Sequence, residues 1–151
     1  MRRMAGIAAA VAIFSCGTAA AAAMSRSEYK ANRARIASEY QADRQKCGAH
    51  LGHAAELCVT KARGAQKVAQ AELEATYKPS PRTNYDAAIA RAQAAYAIAT
   101  KECENQKGEA RKACEKDASA ARERAQAAAT AARKASIADE AGAPKAAGTP
   151  R

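Results

Sequence analysis

The stretch Cys47-Gly48-Ala49-His50-Leu51-Gly52-His53-Ala54-Ala55-Glu56-Leu57-Cys58 decides how this chain folds. Cys47 lies five residues before Gly52 and Cys58 six after it. Fifty-six residues further on, Cys103 and Cys114 flank Gly108 in the same way. A glycine can take the left-handed conformation that ends a helix. The near-symmetry about each glycine therefore predicts two helical hairpins, each with its cysteines face to face beside the turn.

The correspondence extends well beyond the turns. Residues 25–80 align with 81–136 without a gap, and 18 of the 56 positions are identical. Eight of these are alanines, but Arg26/Arg82, Tyr29/Tyr85, Tyr40/Tyr96, Gln70/Gln126 and the Cys and Gly pairs share the same register. A repeat of this length marks a supersecondary unit used twice. In the second copy Tyr85, Ile89, Ala92, Tyr96, Ala99 and Cys103 alternate spacings of four and three, a helical seam. In the first, Tyr29, Ile36, Tyr40 and Cys47 keep that seam, but Arg33 and Asp43 interrupt it, so the first hairpin is expected to be looser. Ser25 with Glu28 reads as a capping box, and Thr83 with Asp86 as its counterpart. Alanines on the returning helices face the tyrosines and allow the close backbone approach a disulfide needs. Tyr77-Lys78-Pro79-Ser80-Pro81 interrupts helix between the two units.

The expected fold is all-α: two tandem antiparallel helical hairpins, residues 24–78 and 79–137, with a four-helix bundle as one way to pack them. Residues 138–151, with Gly142, Pro144, Gly148 and Pro150, read as a disordered tail. Composition agrees with thin helices rather than a thick core. Hydrophobic residues make up 48% of the 151, but most are alanine, with no Trp and one Phe. Alanine favours helix and contributes little area to bury.

The N-terminus reads as a secretory signal. Arg2 and Arg3 precede the apolar run Ala5 to Phe14, and small residues end at Ala21-Ala22-Ala23, with cleavage expected after Ala23. The apolar run is short for a membrane span. Ile13-Phe14-Ser15-Cys16 offers an alternative, a lipobox in which Cys16 is lipidated and anchors the chain to the membrane. Cleavage after Ala23 leaves four cysteines, an even count that in an oxidising compartment points to disulfides. The preferred pairs are Cys47–Cys58 and Cys103–Cys114. Cross-pairing, Cys47–Cys114 with Cys58–Cys103, is the alternative; it would resemble the twin Cys-x9-Cys hairpins of mitochondrial proteins. The Cys-x-x-Cys spacing of redox-active thiols is absent.

Chemistry elsewhere is sparse. His50 and His53 share the first turn with Cys47 and Cys58, four potential zinc or copper ligands if the cysteines were reduced. The second copy has Gln106 and Glu109 at the histidine positions. No nucleophile–base pair, phosphate-cradling loop or isolated carboxylate dyad points to an enzyme, and no cofactor is indicated. The formal charge of +10, or +8 once Arg2 and Arg3 leave (23 basic against 15 acidic), favours an anionic surface. Export argues against nucleic acid as the partner.

The export signal, the Glu28-Tyr29 and Asn84-Tyr85 helix starts, Ala71-Glu72-Leu73-Glu74-Ala75-Thr76-Tyr77-Lys78-Pro79 and the two Cys…Gly…Cys hairpins resemble one group. These are small exported Ala/Lys-rich proteins of Gram-negative bacteria, sometimes labelled TolA-like cell-envelope proteins. The likeness covers nearly all of the chain after Ala23 and implies periplasmic residence with no established activity. The expected function is a non-enzymatic structural or interaction role in the cell envelope. Its partner would be an envelope protein or an anionic envelope surface. The alternative is a metal-binding or stress protein using the His50/His53 turn.

Overall fold

In a computed structural model, which describes residues 23–142, the chain forms four helices and no strand among the described residues. They are α1 (Arg26–Cys47), α2 (Gly52–Tyr77), α3 (Pro81–Cys103) and α4 (Gly108–Gly142). The expected all-α pair of hairpins is what forms. The signal segment before Ala23, Cys16 within it, and the end of the tail from 143 onward lie outside the described residues.

Each helix start has a local cause. Ser25 caps α1: its side chain accepts from the Glu28 N–H at 3.2 Å, while the Glu28 carboxylate accepts from the Ser25 N–H at 2.7 Å. Hydrogen bonding to the Ser25 side chain first, and to the Ser25 backbone N–H second, holds the Glu28 carboxyl below its ordinary range. The start of α3 differs from expectation. Ser80, not Thr83, is its cap, and Thr83 occupies the third helical position, closing the box from the other side. Asp86 instead pairs with Arg82 at 3.8 Å. The reason is Pro81, whose missing N–H and fixed φ suit the first helical residue. The interruption therefore narrows to Lys78-Pro79-Ser80.

The two turns are built alike. After Cys47, three tight bonds run from the N–H of Gly48, Ala49 and His50 to the carbonyls of Gln45, Lys46 and Cys47. After Cys103, Glu104, Asn105 and Gln106 bond back to Lys101, Glu102 and Cys103 in the same pattern. Gly52 (φ 55°) and Gly108 (φ 58°) then take the left-handed conformation. Both open the returning helix rather than closing the outgoing one, whose ends at Gly48 and Glu104 stay right-handed. At the far end, α4 continues to Gly142, so residues 138–142 of the expected tail are helical. Ala138, Asp139, Glu140 and Ala141 offer no break before Gly142 and Pro144.

Packing is serial. α1 packs on α2, α2 on α3 and α3 on α4, with no closer pairing among the described residues. The hairpins thus join through α2 and α3, but the bundle is an open, single-layer one in which α1 and α4 do not meet. The buried residues are small or medium: Ile36, Cys47, Ala62, Leu73, Ala87, Ala92, Cys103, Ala118 and Ala129. As expected, the first hairpin packs less extensively than the second. Its ends are what hold it. Tyr29 stacks on Tyr77 with ring centroids 4.3 Å apart, and the Tyr29 hydroxyl donates to Glu74. That hydrogen bond to a carboxylate raises the Tyr29 pKa. At the turn end, α1 is bonded covalently to α2.

Candidate functional site

Both turns lie at one end of the layer, because the chain reverses at 48–51 and 104–107 and only once, at 78–80, at the other end. This stapled end carries most of the chemistry. The disulfides are Cys47–Cys58 and Cys103–Cys114, with Cα–Cα distances of 5.5 and 5.7 Å. Cross-pairing is not what the structure contains. Cys47 and Cys103 are buried, Cys103 completely.

With Cys47 and Cys58 bonded to each other, the four-ligand set around the first turn is not assembled, and the two histidines part company. His50 is exposed and lines a groove of about 490 Å³ between α1 and α2, beside Asp43, Lys46 and Leu57. His53 turns toward α3, its Nδ1 3.6 Å from Glu104 Oε2. One ligand atom each from His53, Glu56 and Glu104 lie within 4.8 Å of one another. The Nε2 of His53 is buried without a hydrogen-bond partner.

A lysine occupies the middle of this cluster. Lys101 Nζ is 3.2 Å from Glu56 and 2.8 Å from Glu104. Hydrogen bonds to Glu104 and then Glu56 raise the Lys101 pKa, and the same lysine holds the Glu104 carboxyl below its usual range. Lys61 adds a third link, 3.2 Å from Glu102. The cluster therefore joins the two hairpins electrostatically just below their staples. Glu56 and Glu104 were not singled out from the sequence. They match Lys112 and Gly48 in the other copy, so the repeat carries no sign of them, and only the packing of α2 on α3 brings them together.

The four tyrosines at matched positions are half-buried. Each has an arginine over its ring: Arg33 on Tyr29 and Arg44 on Tyr40, both 5.9 Å to the centroid, Arg122 on Tyr96 at 4.1 Å and Arg133 on Tyr85 at 5.2 Å. In the first hairpin the arginine comes from the same helix, four residues on. In the second it crosses from α4, so one arrangement is reached by two routes. Cation–π contact of this kind fixes a guanidinium without consuming its in-plane donors.

No helix among the described residues is long and apolar enough to cross a membrane. Comparison with family models, curated proteins and solved structures returned no match.

Proposed function

We propose that this protein is exported to the periplasm and serves there as a non-enzymatic structural or interaction element of the cell envelope. The observation that carries the reading is the pair of disulfides at one end of a layer too thin to hold itself firmly. Its buried residues are mostly alanine, and each buried methyl-sized group contributes only about 0.8 kcal/mol. Closing an eleven-residue separation contributes roughly 3 kcal/mol in the chain-entropy model. A chain that relies on such bonds suits an oxidising compartment. The sequence features of the first 23 residues, with the resemblance to exported TolA-like envelope proteins, support the same place. An open layer leaves both broad faces free for a partner.

Cell fractionation combined with thiol alkylation tests this. The expected result is an extracytoplasmic protein with no free thiol until a reductant is added. A reduced protein in the cytosol would sink the reading. Retention in the membrane fraction with fatty acid on Cys16 would favour the lipoprotein form.

A second reading, divalent-metal binding, is favoured by the approach of His53, Glu56 and Glu104. Imidazole with two carboxylates suits zinc or copper, but an incoming ion must displace the Lys101 ammonium. Zinc titration of the oxidised protein by calorimetry tests it: uptake lost in His53→Ala and Glu104→Gln and strengthened in Lys101→Met supports the site. Absence of uptake in all four proteins ends it.

A further inference from the structure

The cations of this layer are arranged differently on its two broad faces. One face contains the α1–α2 groove lined by Lys46 and Lys61 and the α2–α3 groove lined by Glu72 and Arg91. The three Lys and Arg residues lining these grooves each have a carboxylate: Lys46–Asp43 at 2.8 Å, Lys61–Glu102 at 3.2 Å and Arg91–Glu72 at 2.7 Å. These three groove cations are each ion-paired within the molecule.

The other face has ion pairs too, Lys101 with Glu56 and Glu104 and Arg111 with Glu115, but it also carries a set of cations with none. Lys67 lines an α1–α2 groove together with Arg33, and also an α2–α3 groove together with Arg63 and Tyr96, so the two grooves open on the same side. Arg122 reaches Tyr96 from α4. Arg44 follows Arg33, and Arg133 follows Arg122, by eleven residues, three helical turns that return each to the same side of its helix. Among the described residues none of these six cations has a carboxylate within 4 Å. The carboxylates nearby are engaged otherwise: Glu74 accepts from Tyr29, and Glu56 and Glu104 hold Lys101. Four of the six cations are arginines placed over tyrosine rings. A guanidinium held by its flat face keeps a planar fork of donors for phosphate oxygens.

We propose that this face docks on the anionic phospholipid headgroups of a membrane surface. Helices α1, α2 and α4 present the cations across a single layer, which matches a laterally extended anionic surface better than a single ion. No helix among the described residues is long and apolar enough to cross a membrane, and the attachment proposed is electrostatic, of cations to headgroups at the surface. The inference deepens the envelope reading above, on which it rests, by giving the partner a chemistry.

The test is co-sedimentation of the oxidised protein with vesicles of phosphatidylglycerol mixed with phosphatidylcholine, against phosphatidylcholine alone. Binding is expected only to the anionic vesicles, falling steeply as salt rises. Arg122→Gln/Arg133→Gln should weaken it about tenfold or more, as should Arg63→Gln/Lys67→Gln, whose exposed side chains make it the safer variant for folding. Lys46→Gln/Arg91→Gln on the opposite face should stay within about twofold. Equal binding to both vesicle types, equal losses from the two faces, full displacement by millimolar inorganic phosphate, or tighter binding to duplex DNA at the same salt would overturn the proposal. Because vesicle binding is measured on purified protein and export by fractionation, failure of one leaves the other readable.

Discussion

Gly64 of α2 lies so close to Ala94 of α3 that a Cβ on the glycine would stand 3.2 Å from the alanine Cβ and 3.9 Å from Ile98 Cδ1. This notch sets the distance between the hairpins, and Gly64 is itself buried. Gly64→Val should therefore destabilise the protein by about 1–3 kcal/mol, the usual cost of overpacking. Urea unfolding by circular dichroism measures it. An unchanged midpoint would mean that the two hairpins do not press together here. Gly64→Ala is the finer probe, since its gain of about 1 kcal/mol in helix propensity opposes the clash.

The staples should matter in proportion to how little each hairpin buries otherwise. Cys103→Ser/Cys114→Ser is expected to lower stability by roughly 3 kcal/mol. Cys47→Ser/Cys58→Ser should cost a similar amount but also fray α1, which buries only Ile36 apart from its cysteine. Hydrogen exchange resolves this: faster exchange confined to α1 supports the account, and uniform change across all four helices would oppose it.

The left-handed turn residues give a paired test. Gly52→Ala and Gly108→Ala each place a side chain at φ near +55° or +58°, where no neighbour lies within 4 Å of the added Cβ. Any loss is therefore backbone strain alone, expected at about 1–2 kcal/mol for each. Near-equal values from the two sites would follow from their equal geometry. A loss at one and not the other would show that the turns differ in solution.

The Lys101 cluster makes stability depend on pH in a definable direction. Glu104 has its pKa lowered from the ordinary 4.5, so its contribution is present above that value and lost as pH falls through the depressed one. Lys101 has its pKa raised from 10.5, so its contribution is present below that value and lost as pH rises through the raised one. The hairpin–hairpin link should thus hold across the neutral range and weaken at both extremes. Thermal midpoints followed from acid to alkaline pH should show both declines, each shallower in Lys101→Met. A variant profile parallel to that of the parent protein would exclude the cluster as the cause.

What was legible in the sequence is what local chemistry determines. Cys47, Gly52 and Cys58, with their counterparts 56 residues on, state a turn and its staple without reference to any other part of the chain. Ser25 and Glu28 state a helix start in the same way. Pro81 after Pro79 reads as a break, whereas next to Ser80 it is a favoured first helical residue. Gly64 reads as a weakness in a helix until Ala94 is seen against it. The partnership of His53 with Glu104, and of Tyr96 with Arg122, depends on which helices become neighbours. Nothing in the spacing along one helix records that, and the two copies differ at those positions.

Each hairpin is closed on itself by its own disulfide. Non-reducing peptide mapping by mass spectrometry, on protein recovered from the envelope fraction, tests it most directly. The account predicts Cys47 linked to Cys58 and Cys103 linked to Cys114. Linkage of Cys47 to Cys114 and Cys58 to Cys103, or four free thiols, would contradict it.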